Sequence, residues 1–549
     1  MTGLRIRAGS RRLRAGLVLG LGLSPLWLGA TALAQADPAA NLARQNEQQA
    51  RELANGPKPS TAAVVTDESG RAELPPAGGP TVLLKSVVFD PPSAFFTEAE
   101  LDAIVSRYVG RQLDFRAIAN LVRDVNDLYA EKGIVTAGAV LPPQELGSGD
   151  LKVQLVEGRQ GVVSIVGEHR TDNDFLLRHV TLTRGDGVVD VPEAARDITW
   201  FNKTHQAQMS LALRPGATFG LTDLTLGITE PPANSLQFFL DNEGVSSTGE
   251  WQWGGSYQAY GLAGIDDRLM AYATGSLASL AGTATYDLPV STSGTRLSLS
   301  QTLSGIKVID GPSEPLDVTG NSSATTVTLS QPVIADTDWT MLALGSLSYG
   351  ESHSYAADVP LVDASTTKVA LGFSLSYSKD GNSFAVQPQL LYVHAEDHLF
   401  DEYPNILIGT AFANGVLRLP GEVTLVGRAA LQYTEADLLP GSLLFQIGGP
   451  NTVRGYPSDG VAGDSGYYLQ AELHHDVLTE GVDGFLFADY GQVFSTFPAR
   501  TTMGSVGFGV SWAWNDLLTQ DVTLAVPVID AVPNQADLAI YTKLTGKAL

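Results

Sequence analysis

The sequence predicts two small α+β units followed by an all-β transmembrane β-barrel of about 16 strands. Three observations predict it. The chain opens on an export leader, and no later stretch reaches the roughly 20 apolar residues that a spanning helix needs. Residues 81–231 run twice through the order strand, helix, helix, strand, strand. From about residue 235 onward, apolar residues alternate with small polar ones in segments of about the length that crosses a bilayer when tilted. Lipid offers no water to an open sheet edge, so strands of that kind must close on themselves.

Residues 1–36 carry a basic start (Arg5, Arg7, Arg11, Arg12, Arg14), an apolar centre and small residues at Ala34-Gln35-Ala36. That is the pattern of a secretory signal peptide cleaved after Ala36. With 0 Cys there is neither a disulfide nor thiolate chemistry, and the formal charge of −25 argues against nucleic acid as a partner. The 57 Gly favour strands and turns over helices in the larger part of the chain.

Residues 37–56 are rich in Ala, Gln, Glu, Arg and Leu, and stop at Gly56 before Pro57, which reads as one polar helix with too thin an apolar face to join a core. Residues 57–80 are Pro- and Gly-rich and read as a linker. The first α+β unit, 81–159, has the strand TVLLKSVVFD and then a capping box, Thr97 to Glu100. Its second helix carries Ile118, Leu121, Val122, Val125, Leu128 and Tyr129 on one face. The second unit, 160–231, repeats the order more loosely, with helices around 173–180 and 192–203 and a close turn, RPG, at 214–216. Neither unit gathers His, Cys and acidic residues as catalysis would require. Their sheet edges could instead accept an extended peptide as an added strand.

The barrel, 232–549, shows its alternation in LGFSLSYS, with Leu371, Phe373, Leu375 and Tyr377 on one face and Gly372, Ser374, Ser376 and Ser378 on the other. GSVGFGVSWAW behaves alike, and Trp251, Trp253, Tyr257 and Tyr349 stand near strand ends as an aromatic girdle would. An even strand count leaves both barrel ends on one side of the membrane. With the α+β units in the periplasm, the longer loops at 304–321, 350–363, 395–407 and 435–463 all fall outside. The last is the sixth outer loop, and its turn-rich GGPNTVRGYPSDG holds Arg454.

With its leader, polar helix, linker, two α+β units and barrel, together with VRGY at 453–456 and FADYG at 487–491, the chain resembles the two-partner secretion transporters of the outer membrane, whose periplasmic units are POTRA domains. The resemblance implies transport of a large unfolded exoprotein, an adhesin or haemolysin-like β-helical protein, with POTRA domains as the receptor and the barrel as the pore. It further implies an outer-membrane lipid environment, insertion by the barrel-assembly machinery, a sixth loop folded back into the lumen, and a pairing of Arg454 with Asp489. The loop residues singled out are Val453, Arg454, Gly455 and Tyr456, and the wall residues are Phe487, Asp489 and Gly491. Alternation independently puts Phe485, Phe487 and Asp489 inward and Leu486, Ala488 and Tyr490 outward, so Asp489 needs a partner inside, and a guanidinium can meet it with two parallel bonds. An assembly factor that inserts other barrels is the alternative, against which two POTRA units and a plug-like N-terminus argue.

Other short motifs point nowhere. GDSG at 463–466 lacks a protease context and reads as the start of a strand. His394 and His398 straddle a strand end, and the neighbours His474 and His475 face opposite ways. No metal site, cofactor or enzymatic activity is expected. The chain ends YTKLTGKAL instead of on an aromatic residue, and the expectation is that Tyr541 serves as the insertion signal or that the terminus is extended.

Overall fold

The computed structural model describes residues 37–54, 64–65, 78, 80–311, 313–476, 481–494, 500–533 and 535–548. The leader at 1–36 and most of the segment read as a linker lie outside the described residues. Helix α1 spans Pro38–Ala54. In the first α+β unit, strands Ser86–Asp90, Asp150–Glu157 and Ala137–Val140 form a sheet in that order, and helices α2 (Glu98–Val105) and α3 (Phe115–Glu131) cover it. Thr97 and Glu100 make both bonds of the capping box, and Asp114 caps α3 by accepting from the Ala117 amide at 2.8 Å. Ile118, Leu121, Val125 and Tyr129 are the buried stripe of α3.

The second unit has helices α4 (Asn173–Leu177) and α5 (Val191–Thr204). Its sheet runs Val64–Val65, Gln208–Pro215, Leu221–Thr229, Arg159–Val166. Two sequence expectations change here. The segment 57–80 is not free linker throughout, because Val64 and Val65 pair in parallel with Leu211 and Ala212. A β-branched dipeptide beside an open edge has a ladder to join. The turn is 216–220, not RPG, since Arg214 and Pro215 still belong to the strand and Gly220 supplies the positive φ of 84°.

The barrel has 16 antiparallel strands and is closed. In order they are β1 Asn234–Asp241, β2 Gln252–Tyr260, β3 Arg268–Gly275, β4 Ser279–Pro289 and β5 Arg296–Lys307. Then come β6 Val318–Ala335, β7 Trp339–Ala356, β8 Val359–Lys379, β9 Asn382–Asp397, β10 Asn405–Leu419 and β11 Val423–Thr434. Last are β12 Ser465–Asp476, β13 Val482–Phe494, β14 Thr501–Asn515, β15 Leu518–Pro527 and β16 Ala539–Ala548. The seam closes where β1 pairs with β16, Leu236 opposite Ala548 and Asp241 opposite Lys543. Lys543 Nζ lies 3.4 Å from an Asp241 carboxylate oxygen, which helps hold that register.

Outward side chains are apolar, with Leu371, Leu486 and Phe508 well exposed, while their neighbours Asp489 and Ser505 are buried inward. Trp512 and Trp514 stack 4.3 Å apart near the periplasmic end of β14, and Tyr467 and Tyr490 lie 6.2 Å apart near the outer ends of β12 and β13. These are the two interfacial girdles. Strand lengths are uneven, from 8 residues in β1 to 21 in β8. The stretch 350–363 is therefore no loop: β7 and β8 continue into a hairpin whose turn is Ala357 and Asp358, at φ 45° and 68°. Positive φ at both central residues suits the right-handed twist of the flanking strands.

Candidate functional site in the barrel lumen

The sixth outer loop, between β11 and β12, turns inward. Its stem is a short antiparallel pair, Phe445–Ile447 with Val461–Gly463. Leu439, Leu443 and Leu444 anchor the descending arm on Val393, Ile406 and Ile408 of β9 and β10. Asp464 accepts from the Leu439 amide at 2.8 Å, and Ser465 lies within hydrogen-bonding reach of Thr434, so the GDSG stretch fixes the foot of the loop. At the tip, Gly448 and Gly449 take φ of 122° and 79°, and Thr452 Oγ1 accepts from the Gly448 amide at 2.7 Å. This tight turn carries Val453 to Tyr456 down to the wall.

Each residue of that tetrad meets a wall residue. Arg454 Nε and Nη2 donate to the two carboxylate oxygens of Asp489, both at 2.7 Å. The Arg454 amide adds a third bond to Asp489, at 3.0 Å. Its guanidinium lies over Phe487, with Cζ 3.6 Å from the ring centroid. Val453 is fully buried beside Ile447, Tyr468, Val493 and Met503. It fits because residue 491 is Gly: a Cβ there would come 2.8 Å from Val453 Cγ2. Gly455, at φ 90°, donates its amide to the Tyr541 hydroxyl at 2.9 Å. The Tyr456 hydroxyl lies 2.8 Å from the carbonyl oxygens of both Gly504 and Ile529. Both ions are buried, so attraction acts at low dielectric, and the parallel bonds offset the cost of removing two charges from water.

The motif reading missed part of this site. Glu472 Oε1 accepts from Arg454 Nη1 at 2.5 Å, a second carboxylate on the same guanidinium. His474 bridges Glu472 and Asp483. The signal was present in QAELHHD, where alternation sets Gln470, Glu472 and His474 on the lumen face, but a search for metal spacing looks past it. Tyr541 also differs from expectation: its hydroxyl receives the Gly455 amide in the lumen, so it does not present a terminal aromatic to lipid. His394 Nδ1 lies 2.9 Å from Asn405 Oδ1 in a local polar pair.

Helix α1 lies inside the barrel. Its alanines approach the wall closely, Ala39 against Ile306, Val308 and Val318, and Ala50 against Met270 and Tyr272. Its polar residues meet wall hydroxyls: Asn46 donates to Thr274 Oγ1 at 3.1 Å and accepts from Thr283 Oγ1 at 2.8 Å. Ser352 donates to Asp37 at 2.6 Å, and Tyr272 donates to Gln49 at 2.6 Å. A helix too polar for a core is thus suited to a hydroxyl-lined lumen. Arg44 Nη1 donates to the Leu444 carbonyl at 2.5 Å, joining helix to loop.

A model of the family described as haemolysin secretion/activation protein ShlB/FhaC/HecB matches residues 220–513, more than half the chain. The chain belongs to that family. A model of the POTRA domain, ShlB-type, matches residues 82–158. The outer membrane transporter CdiB of Dickeya dadantii is 25% identical over 480 residues, covering 82% of this chain and 83% of its own. The haem/hemopexin transporter protein HuxB of Haemophilus influenzae is 22% identical, covering 79% and 81%. Among solved structures, CdiB from Escherichia coli superposes with a TM-score of 0.65 at 19% identity, over 96% of this chain and all of that one, a likeness of fold. The protein is a two-partner secretion transporter of the outer membrane with its POTRA region in the periplasm. That assignment takes the place of the assembly-factor alternative.

Proposed function

We propose that the structure is the resting state of a protein-conducting pore closed by two separate devices, α1 and the Arg454 clasp of the sixth loop. The unfolded partner first adds as a strand to a POTRA edge. Edges that leave an apolar side chain exposed are Ser86–Asp90 with Val88, Ala137–Val140 with Val140, and Arg159–Val166 with Val162. The opposite edge of the second unit is partly taken by the chain's own Val64–Val65. The partner then enters the lumen as α1 leaves, and it folds outside; a large β-helical exoprotein gains there the free energy that drives export. The transporter acts without chemical catalysis, and it reaches its lipid environment through the barrel-assembly machinery.

The observation that carries this reading is the three-point hold of Asp489 on Arg454 at the buried tip of an outer loop. Arg454→Ala leaves the buried Asp489 carboxylate without its guanidinium, which costs about 3–5 kcal/mol, whereas Asp489→Ala leaves Arg454 with Glu472 as its remaining carboxylate and strips its Nε, Nη2 and amide of their acceptor. Secretion of the cognate exoprotein should fall strongly in either variant while the barrel remains inserted. Undiminished secretion from a correctly inserted variant overturns the proposed role.

A further inference from the structure

We propose that His474 is a positioning residue of the loop clasp: as an imidazolium it holds Glu472 in the orientation that engages Arg454 and ties the clasp to Asp483 nearer the periplasm. The inference rests on the reading of Arg454 as the loop's anchor. It starts from two bonds. His474 Nε2 lies 2.9 Å from Glu472 Oε2, and His474 Nδ1 lies 2.6 Å from Asp483 Oδ2. Ionised carboxylates only accept hydrogen bonds, and a neutral imidazole has one donor and one acceptor. Two carboxylates on the two ring nitrogens therefore require a proton on each nitrogen, and the ring carries a charge.

The ring is fixed by more than these bonds. It stacks on Phe485 with centroids 4.9 Å apart and planes 23° from parallel. Phe485 in turn lies over Gly509 of β14, where any Cβ would collide with it. The result is one ladder along the inner wall: Asp489, Arg454, Glu472, His474, Asp483, with two cations among three anions. Thr424 of β11 is the register neighbour of His474, and Arg428, opposite Gln470, is the charged residue on that strand. Neutral His474 keeps a donor for only one carboxylate. Glu472 and Asp483 would then face each other across an uncharged ring, and Glu472 would be free to turn from Arg454. Asp483 begins the ladder near the periplasmic start of β13, so a chain entering from that side meets the His474 rung before the clasp.

The full chain reconstituted in lipid vesicles provides the test. The sequence has 0 Cys, so S458C near the loop tip is a unique thiol. Its labelling by a membrane-impermeant maleimide is scaled to that of D358C on the exposed β7–β8 turn. H474A should label several-fold faster than the parent, approaching R454A, and H474K should return to slow labelling. In the parent the scaled rate should rise as pH is raised through the range in which an imidazolium is lost, and H474K should show no such rise. Heat-modified mobility on gels identifies folded barrel in every variant. If R454A labels no faster than the parent, the clasp reading itself fails. If R454A opens the loop while H474A does not, or the parent's pH profile is flat, only the role of His474 is overturned.

Discussion

Arg454→Lys keeps the charge in the lumen but removes the planar fork that meets Asp489 with two parallel N–H donors. Secretion by this variant should fall between wild type and Arg454→Ala, and near-normal export would show that charge alone suffices. Gly455→Ala is a separate probe of the same loop. A side chain at φ 90° is strained, and its Cβ would sit 3.0 Å from Pro527 Cδ and Cγ. The expected cost is about 1–3 kcal/mol to loop docking, read as faster protease cleavage in 448–460. Arg454 and Asp489 were legible because two short motifs and one alternating strand point at each other. Glu472 and His474 were not, because a residue's place on a lumen face acquires meaning only once the neighbouring strand and the incoming loop are known.

Helix α1 was readable as a polar helix too thin in apolar residues for a core, and as plug-like. Only the surrounding wall of Thr274, Thr283, Ser304 and Ser352 gives such a helix partners. Deleting residues 37–54 should raise the conductance of the reconstituted barrel, and an unchanged current would mean that the loop alone closes it. The second α+β unit offers a pH test. Burial against Phe175 and Phe201 holds His179 below its ordinary value of 6.5. A lowered histidine favours the folded state above the unfolded-state value, and the advantage fades as pH falls below it. Amide exchange in α4 and α5, corrected for intrinsic rate, should therefore quicken below about pH 6.5, while α3 of the first unit stays protected. Equal behaviour of the two units would contradict this.

At the scale of the molecule, the turn between β2 and β3 joins the second α+β unit to the barrel, alongside a bond from Trp200 Nε1 to the Ser293 carbonyl. Asp266, fully buried at φ 63° between β2 and β3, accepts from the Gln206 and Ala207 amides of the second unit at 3.1 and 2.8 Å. The same carboxylate takes bonds from Tyr260 OH at 2.8 Å and Arg296 Nη1 at 2.9 Å, and Arg296 Nε donates to Asp287 at 2.6 Å. Asp266→Ala strips the Gln206 and Ala207 amides of their side-chain acceptor and takes one of two carboxylates from Arg296, so the second unit should swing more freely over the barrel mouth. Greater proteolysis at 204–208 and reduced secretion are expected, and an unaltered digest would show that the other contacts suffice. By itself the sequence determined the repeated order of two α+β units and a barrel, since alternation and turn chemistry act over a few residues. Which residues of β12 join the clasp, which wall residues hold α1, and how the POTRA region is fastened were decided by tertiary structure alone. These depend on groups hundreds of positions apart finding each other inside a closed wall, where an unpaired charge or amide has no water to turn to.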